Sequence, residues 1–281
     1  RSGYSCYESG LGERLHQRLA LESHMRDALV LQQFALHYQP IVDLKSGRII
    51  AAEALLRWED ADGVRHGPAE FIPIAEESGL ILPLGEWALK TACMQTRQWL
   101  DQGFQIGVAV NLSTRQFQDP DLLEKVAFVI ADCGLPPSRL ELEITEGAAM
   151  LDPESSVKVL GTLKNIGVRI AIDDFGTGYS SLSYLKRIPA DTIKIDKSFV
   201  DGVSEESEDR AIVRAILALA HALDKHTVAE GIETTEQKLA LETAGCAWGQ
   251  GHLFSPPLPA EQFQMLLAGG REITRAIERQ R

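Results

Sequence analysis

Short apolar runs alternate along most of the chain with longer segments in which apolar residues recur at helical spacing. The short runs are rich in valine, isoleucine and alanine, which is typical of buried strands in an α/β protein. They predict strands over residues 34–42, 48–56, 106–112, 139–145, 168–173, 192–195, 227–229 and 246–253. The longer segments predict helices over residues 13–31, 84–100, 121–133, 153–166, 180–187, 208–223, 234–244 and from 260 onward.

This interleaving of strands and helices favours an α/β fold with a sheet of mainly parallel strands. Roughly eight such units in about 250 residues favour a closed (β/α)8 barrel over an open sheet. The first two predicted strands are separated only by residues 43–47, a link that suits a hairpin and predicts one antiparallel pair. With 281 residues and 44% hydrophobic content, the chain can bury one large core.

The chain is acidic, with 40 aspartate and glutamate residues against 28 lysine and arginine residues and a net charge of −12. This charge opposes long-range attraction of nucleic acids or anionic membranes, so we expect no DNA or RNA partner. A phosphorylated substrate is compatible with the charge only where metal ions reverse the local field.

The cysteines and the apolar runs favour a cytoplasmic domain. The four cysteines are scattered, which argues against a structural zinc site and suits a reducing compartment. The longest apolar stretch, residues 211–223, is interrupted by Arg214 and His221 and is too short to span a bilayer. Because the chain starts at Arg1, we expect it to be a fragment, and attachment of the full-length protein to the inner membrane stays open.

Polar residues lie near the carboxyl end of almost every predicted strand. They are Glu53, Asn111, Glu143, Asp173, Asp174, Lys194, Glu230 and Gln250. In a parallel barrel these strand ends meet at one rim, where barrel enzymes place their active sites. Alternation along the strand turns Asp173 inward together with the smaller Ala171, which leaves room beneath the rim. By the same alternation Glu141 points inward below Glu143, and we expect it to pair with a buried basic residue.

The electrostatics of this rim predict a metal site. Two carboxylates about 4 Å apart repel by about 4 kcal/mol at an effective dielectric near 20, so a converging group needs protonation or divalent cations. Ligand atoms that are all oxygen select hard ions such as Mg²⁺ or Mn²⁺. The adjacent Asp173 and Asp174 can bridge two ions, as in two-metal phosphoester hydrolysis. Lys194 and Glu230 then activate or orient water.

Several of these residues also have a structural interpretation. Asn111 could cap a strand end, Lys194 could extend its charged end to solvent, and Glu230 could cap the helix that begins near Glu233. Glu233 itself either stabilises that helix start or supports a loop. Trp58 is either a core residue or a wall against which a base stacks.

Ordered motifs extend these observations over most of the chain, from about residue 31 to residue 263. They are Tyr38-Gln39-Pro40-Ile41, Glu53-Ala54-Leu55-Leu56-Arg57-Trp58, Asn111-Leu112-Ser113, Glu143-Ile144-Thr145-Glu146, Asp173 through Leu182, Lys194-Ile195-Asp196, Ala229-Glu230-Gly231-Ile232-Glu233 and Gln250-Gly251. In this order they resemble the EAL-domain cyclic-di-GMP phosphodiesterase family. A lone Glu-Ala-Leu is an ordinary helix tripeptide, whereas the ordered set is highly specific.

The resemblance implies a triosephosphate-isomerase-type barrel with one antiparallel strand, and hydrolysis of cyclic di-GMP to linear pGpG with Mg²⁺ or Mn²⁺. The implied metal ligands are Glu53, Asn111, Glu143, Asp173 and Asp174. The implied catalytic residues are Glu230 and Lys194, which compete for the role of general base. The implied substrate-binding residues are Gln39, Leu56, Arg57 and Gln250. The residues implied to couple the site to a neighbouring loop and a dimer are Glu146, Phe175, Gly176, Thr177, Gly178 and Glu233.

The resemblance also implies cyclic di-GMP as ligand, a homodimer and two divalent cations. Ca²⁺ should bind without supporting turnover, because its looser coordination misplaces the water. The alternative is a non-catalytic cyclic-di-GMP receptor, a class that typically loses metal ligands, and none is lost here. Residues 31–281 would form the phosphodiesterase domain. Residues 1–30 would form a linker helix or the end of an upstream GGDEF domain, so we expect a GGDEF or sensor domain earlier in the native chain.

Overall fold

The computed structural model describes residues 9–178, 182–204 and 207–269. The expected GGDEF-like start of the chain, the first two residues of the helix predicted over 180–187 and the end of the coupling loop at 179–181 lie outside these residues. The strands are β1 (Phe34–Asp43), β2 (Ile49–Glu59), β3 (Arg65–His66), β4 (Gly107–Leu112), β5 (Leu140–Thr145), β6 (Arg169–Phe175), β7 (Thr192–Ile195), β8 (His226–Ala229), β9 (Trp248–Gly249) and β10 (Leu258–Pro259).

The helices connect and cover these strands. They are α1 (Ser9–Val30), α2 (Pro68–Ser78), α3 (Ile81–Asp101), α4 (Thr114–Phe117), α5 (Leu122–Cys133), α6 (Glu146–Leu151), α7 (Pro153–Ile166), α8 (Leu182–Leu185), α9 (Lys197–Val200), α10 (Glu208–Ala222), α11 (Thr235–Ala244) and α12 (Ala260–Gly269), with one 3₁₀ turn at Pro137–Arg139. Within the described residues, no helix has both the length and the apolar composition that a membrane span requires.

Eight of the strands close into a barrel in the order β1, β2, β4, β5, β6, β7, β8, β9 and back to β1. Neighbours from β2 to β9 are parallel, whereas β1 runs antiparallel to both β2 and β9. The link from β1 to β2 is too short for a crossover helix, so the two strands pair as a hairpin. The predicted (β/α)8 barrel of the triosephosphate-isomerase type, with one antiparallel strand, is confirmed.

Alternation along each strand separates an apolar outer face from a polar inner face. On β5, Leu140, Leu142 and Ile144 are buried against the surrounding helices in the main apolar core. Glu141 and Glu143, at the intervening positions, point into the barrel. The sequence therefore assigns the helix-packing residues and the site residues to opposite sides of the same strand.

The first two helices pack against the β1–β2 hairpin through a second apolar cluster. Met25 and Ala28 of α1 and Phe71 of α2 are buried in it with Phe34 and Trp58. The rings of Phe34 and Trp58 stack with their centroids 5.5 Å apart. Trp58 is therefore a core residue rather than a wall for a base, and the carboxyl-terminal part of α1 packs onto the barrel.

Several elements differ from the sequence prediction, among them β2, β9 and α2. β2 continues to Glu59, so Glu53 lies in the middle of its strand rather than near the end, because β2 extends beyond the barrel as part of the hairpin. The last barrel strand spans only Trp248–Gly249, so Gln250 follows it instead of lying within it. The helix α2 was not predicted. Its Pro73 lies inside the helix, and a proline there normally argues against a helix.

Candidate metal and catalytic site

The polar residues predicted at the strand ends converge at the carboxyl-end rim of the barrel. Glu53 on β2 lies beside Ala109 of β4, and two residues further along β4 Asn111 lies beside Glu143 of β5. From the first of these strand pairs to the second, the register shifts by two residues because the strands are tilted relative to the barrel axis. Inward-facing side chains from successive strands are thereby brought together at one level.

Lys194 occupies the centre of the cluster, with its side chain 1% exposed. Its Nζ lies 2.6 Å from Glu230 Oε1 and 2.7 Å from Glu143 Oε2. It lies 3.3 Å from Asp173 Oδ1 and 3.7 Å from Glu53 Oε2. Lys194 therefore does not extend its charged end to solvent. Its single ammonium group lies in the barrel interior and partly neutralises the charge of four carboxylates.

Two amides hold the carboxylate of Glu53 in place. Asn111 Nδ2 donates to Glu53 Oε1 at 2.7 Å, and Gln250 Nε2 donates to Glu53 Oε2 at 2.6 Å. Gln250 Nε2 also lies 3.3 Å from Glu230 Oε1. Asn111 therefore does more than cap a strand, and Gln250 links the two carboxylates that flank it.

Asp174 has a left-handed backbone, with φ of +53°, at the point where the pairing between β6 and β7 shifts register. In a regular strand Asp173 and Asp174 would point to opposite faces. The irregular backbone instead brings both carboxylates to the rim. Ligand atoms of Asp173, Asp174 and Glu230 all lie within 4.8 Å of one another. Strain of this kind at a polar site is typical of functional residues.

The pKa values of the carboxylates in the cluster are shifted in different directions, and three of them are raised. Burial raises the pKa of Glu143 well above its ordinary value, and although Lys194 opposes this, the charge of Glu53 adds to it. Burial likewise raises the pKa of Glu230 to about 8, against the opposing effect of Lys194. Burial and the neighbouring Asp173 also raise the pKa of Asp174. With more negative than positive charge, the cluster favours bound protons or further cations.

The surroundings of Glu53 and Lys194 shift the pKa of each group in the direction that favours its charged form. Burial alone would raise the pKa of Glu53, but the charge of Lys194 and the hydrogen bonds from Gln250 and Asn111 hold it below its ordinary value. Burial alone would lower the pKa of Lys194, but Glu143, Glu230 and the other carboxylates hold it well above its ordinary value. Lys194 thus stays protonated and is poorly suited to accept a proton.

The site fits divalent cations. Its donors are carboxylate and amide oxygens, which hard ions such as Mg²⁺ and Mn²⁺ prefer. Glu143 Oε1 and Gln250 Oε1 are buried and have no hydrogen-bond partner among the described residues, so each has a free acceptor atom. The excess negative charge and these unpaired oxygens both favour cation binding.

Glu146 connects the site to the loop that follows β6. It is buried at the start of α6, and its Oε2 accepts a hydrogen bond from the backbone N–H of Gly176 at 2.8 Å. A Cβ at Gly178 would lie 3.0 Å from Glu146 Oε1, so the loop passes close over this carboxylate. Phe175 is buried in the main apolar core at the end of β6, and Thr177 Oγ1 donates to the carbonyl of Asp174 at 2.8 Å. The loop is thus bonded both to Glu146 and to a rim residue.

The residues predicted to bind substrate lie beside the rim. Gln39 pairs with Glu53 across the hairpin, and its Nε2 donates to the carbonyl of Ser255 at 3.1 Å. Arg57 is half-buried, and its Nη1 donates to the carbonyl of Leu56 at 2.7 Å. The side chain of Leu56 packs into the apolar clusters, so only its backbone faces Arg57.

A groove of about 570 Å³ runs past Arg57 between β1, β2 and the segment around Pro257. Arg65 and His37 also line this groove, but Arg65 Nε pairs with Glu59 Oε2 at 2.9 Å, and Glu59 lines the groove as well. Burial and the charge of Arg57 lower the pKa of His37, so the positive charge of the groove comes mainly from Arg57. An arginine beside a carboxylate rim suits a substrate whose phosphate must approach that rim.

Glu233 lies directly before the residue that caps α11, and its side chain does not form the cap. The helix α11 begins at Thr235, and Thr234 caps it together with Gln237, whose side chain also accepts from the backbone N–H of Glu233. The carboxylate of Glu233 instead lies 2.5 Å from Lys197 Nζ. Lys197 was not predicted from the sequence, although its spacing from Lys194 places it just beyond the same strand.

Glu141 has a basic partner as expected, but that partner, Arg169, is half-buried rather than buried. Glu141 Oε2 lies 3.1 Å from Arg169 Nε and accepts from Thr192 Oγ1 at 2.9 Å. Arg169 pairs with Glu141 in the parallel register between β5 and β6. The sequence could not identify Arg169 as the partner, because that assignment depends on which strands are neighbours.

The chain matches the family model described as EAL domain over residues 22–257. It is 46% identical over 264 residues to the bifunctional diguanylate cyclase/cyclic di-GMP phosphodiesterase MucR of Pseudomonas aeruginosa, covering 94% of this chain and 38% of MucR. It is 35% identical over 264 residues to the cyclic di-GMP phosphodiesterase PdeR of Escherichia coli, covering 94% of this chain and 40% of PdeR. The chain therefore spans well under half the length of these curated relatives.

A solved structure of the PaMucR phosphodiesterase in complex with c-di-GMP is 47% identical to this chain and superimposes with a TM-score of 0.85. The matched region covers 87% of this chain and 99% of the PaMucR chain. The EAL domain of FimX from Pseudomonas aeruginosa bound to c-di-GMP is 27% identical, with a TM-score of 0.77 and coverage of 85% and 96%. With the rim residues and the motif order in place, the chain belongs to the EAL domain family.

Proposed function

We propose that this domain is a metal-dependent phosphodiesterase that hydrolyses cyclic di-GMP to linear pGpG. The observation that supports this most is the ring of oxygen donors around Lys194, which retains every metal-ligand position of the EAL motifs. The named phosphodiesterases among the relatives, and the solved complex with c-di-GMP, support the same substrate. A receptor that only binds the nucleotide has no need of this complete set.

In this proposal Glu53, Asn111, Glu143 and Asp173 hold one divalent cation, and Asp173 and Asp174 hold a second. When bound, such ions withdraw charge from the phosphate and lower the pKa of water. The unpaired Oε1 atom of Glu143 and the strained backbone of Asp174 suit this role.

Glu230 and Lys194 have different parts in the reaction. Burial raises the pKa of Glu230 to about 8, so its carboxylate, once ionised, accepts a proton from water more readily than an ordinary glutamate does. Lys194 keeps its proton, and its ammonium group orients water and offsets charge on the phosphate. Of the two candidates for general base, the electrostatics thus favour Glu230.

Arg57 and Gln39 position the substrate beside the rim. The guanidinium of Arg57 is fixed by its bond to the carbonyl of Leu56, which leaves donors to face a phosphate. Gln39, bonded to the backbone of Ser255, fixes the wall of the site next to Glu53. Gln250, bonded to Glu53, keeps that carboxylate in its orientation as the phosphate approaches.

The function is tested by incubating the purified domain with cyclic di-GMP and following the products by ion-exchange chromatography. We expect conversion to pGpG with Mg²⁺ or Mn²⁺, none with EDTA, and little with Ca²⁺, because Ca²⁺ coordinates loosely and at longer distances. Binding of cyclic di-GMP without turnover in both Mg²⁺ and Mn²⁺ would instead show a receptor.

We also propose that the domain acts as a homodimer whose contacts reach the site through Glu146, Glu233 and the loop that includes Gly176. The bond from Gly176 to Glu146 and the ion pair between Glu233 and Lys197 support this coupling. The diguanylate cyclase activity of the bifunctional MucR supports a GGDEF or sensor domain in the native protein, and the domain itself would act in the cytoplasm.

A further inference from the structure

A separate cavity of about 110 Å³ opens at the amino-end of the barrel, opposite the carboxylate rim. The buried side chains of Ile41 and Val228 and the half-buried Ala51 form its apolar floor. Trp248 and the half-buried Arg139 and Arg169 line its more exposed part. The cavity therefore combines an apolar interior with positively charged groups at its mouth.

An apolar layer separates this cavity from the metal site. Ile41, Ala109 and Val228 form a buried cluster in the middle of the barrel. Ala109 lies beside Glu53 in the sheet and two residues below Asn111. A molecule in the lower cavity would therefore not touch the rim carboxylates.

The charge around the cavity is opposite in sign to that of the chain. Two arginines and one carboxylate, Glu141, line it, whereas the whole chain carries −12. Glu141 is already paired with Arg169 Nε and bonded to Thr192. Arg139 uses Nη2 to bond Gln105, and Arg169 Nη1 has no acceptor among the described residues. Donors with positive charge thus remain available at the mouth.

Trp248 gives the cavity a rigid side. Its ring stacks on His226, with centroids 4.4 Å apart and planes 23° from parallel. The guanidinium of Arg169 lies 5.5 Å from the centre of the same indole. These stacked groups hold Arg169 at the mouth by a cation–π contact, so the positive charge is placed before any ligand arrives.

We propose that this cavity is a second binding site, for a small amphipathic carboxylate whose short apolar chain lies on the floor and whose anionic head pairs with Arg169 and Arg139. A pocket of about 150 Å³ accommodates benzene, so this smaller cavity suits a short aliphatic chain rather than an aromatic ring. The planar fork of an arginine matches a carboxylate head.

The site is tested by labelling the protein with 5-fluorotryptophan and titrating sodium butyrate while recording ¹⁹F NMR spectra. The chain has four tryptophans, and the signal of Trp248 is assigned from a Trp248→Phe variant. We expect a saturable shift of the Trp248 signal alone, with a dissociation constant on the order of 1 mM for so small a ligand. Butyramide, which has the same size and no charge, should bind at least about tenfold more weakly.

Two variants and one control make the result specific. Arg169→Met should weaken butyrate binding about tenfold or more, and Ala51→Val, which fills the floor, should abolish it. Arg48→Met is the matched control, because Arg48 lines a neighbouring depression and not this cavity, and it should bind butyrate as the wild type does.

Several outcomes would overturn the proposal. They are a Trp248 signal that does not saturate, equal binding of butyramide, or the same loss of binding in Arg48→Met. Retained butyrate binding in Ala51→Val would do so as well. None of these outcomes bears on hydrolysis of cyclic di-GMP, which is measured separately.

Discussion

Replacing Glu53 by glutamine should reduce turnover of cyclic di-GMP by about 10²- to 10³-fold and leave the fold intact. Losing one charged ligand of a catalytic ion removes several kcal/mol of transition-state stabilisation, at 1.36 kcal/mol for each tenfold in rate. The new amide has almost the same shape as the carboxylate. Its N–H₂ group can bond Gln250 Oε1 after that amide rotates, because Gln250 Oε1 has no other partner among the described residues.

The measurement is kcat for pGpG formation at saturating Mg²⁺, with circular dichroism to confirm folding. Glu242→Gln is the matched control, because Glu242 lies on α11 and pairs with Lys238 one turn earlier on that helix, outside the rim and the groove. Its turnover should stay near that of the wild type. Near-normal turnover in Glu53→Gln would show that Glu53 is not a ligand of a catalytic ion.

Replacing Lys194 by methionine should make the stability of the protein depend strongly on divalent cations. The substitution leaves the carboxylates of Glu53, Glu143, Asp173 and Glu230 without their shared ammonium group. Removing one partner of a buried ion pair typically costs about 3–5 kcal/mol. In EDTA we therefore expect the free energy of unfolding to fall by about this amount, with Mg²⁺ restoring much of it.

Urea unfolding in EDTA and in Mg²⁺ provides the comparison. Lys225→Met is the control, because Lys225 is half-buried but bonds the backbone carbonyls of Ile188 and Ala190. That variant should lose stability equally in both conditions. If the loss in Lys194→Met were the same with and without Mg²⁺, the cations and Lys194 would not share one cluster of carboxylates.

The barrel could be predicted from the sequence because local patterns determine it. Short β-branched runs alternate with helical segments, and the short link after β1 allows only a hairpin. The helix α2 could not be predicted from the same patterns. Pro68 suits the first turn of a helix, but Pro73 inside it argues against one. The helix is stabilised by the packing of Phe71 and Ala75 in the second apolar cluster.

The sequence allowed the residues of the site to be predicted. It did not allow the distances and contacts between them to be predicted. The motif order identified the carboxylates, and parallel strands require their ends to meet at one rim. The sequence could not show that Lys194 contacts four carboxylates at once, since this depends on how far each strand is shifted against its neighbour. It also could not show the left-handed backbone of Asp174, because a regular strand would separate its side chain from that of Asp173.

The most direct test of the account is hydrolysis of cyclic di-GMP in water enriched in ¹⁸O, with mass spectrometry of the product. The account predicts pGpG that carries one ¹⁸O atom on its terminal phosphate when Mg²⁺ or Mn²⁺ is present, and unchanged cyclic di-GMP in EDTA. Cyclic di-GMP that is bound but remains intact with either ion, or pGpG without ¹⁸O, would contradict it.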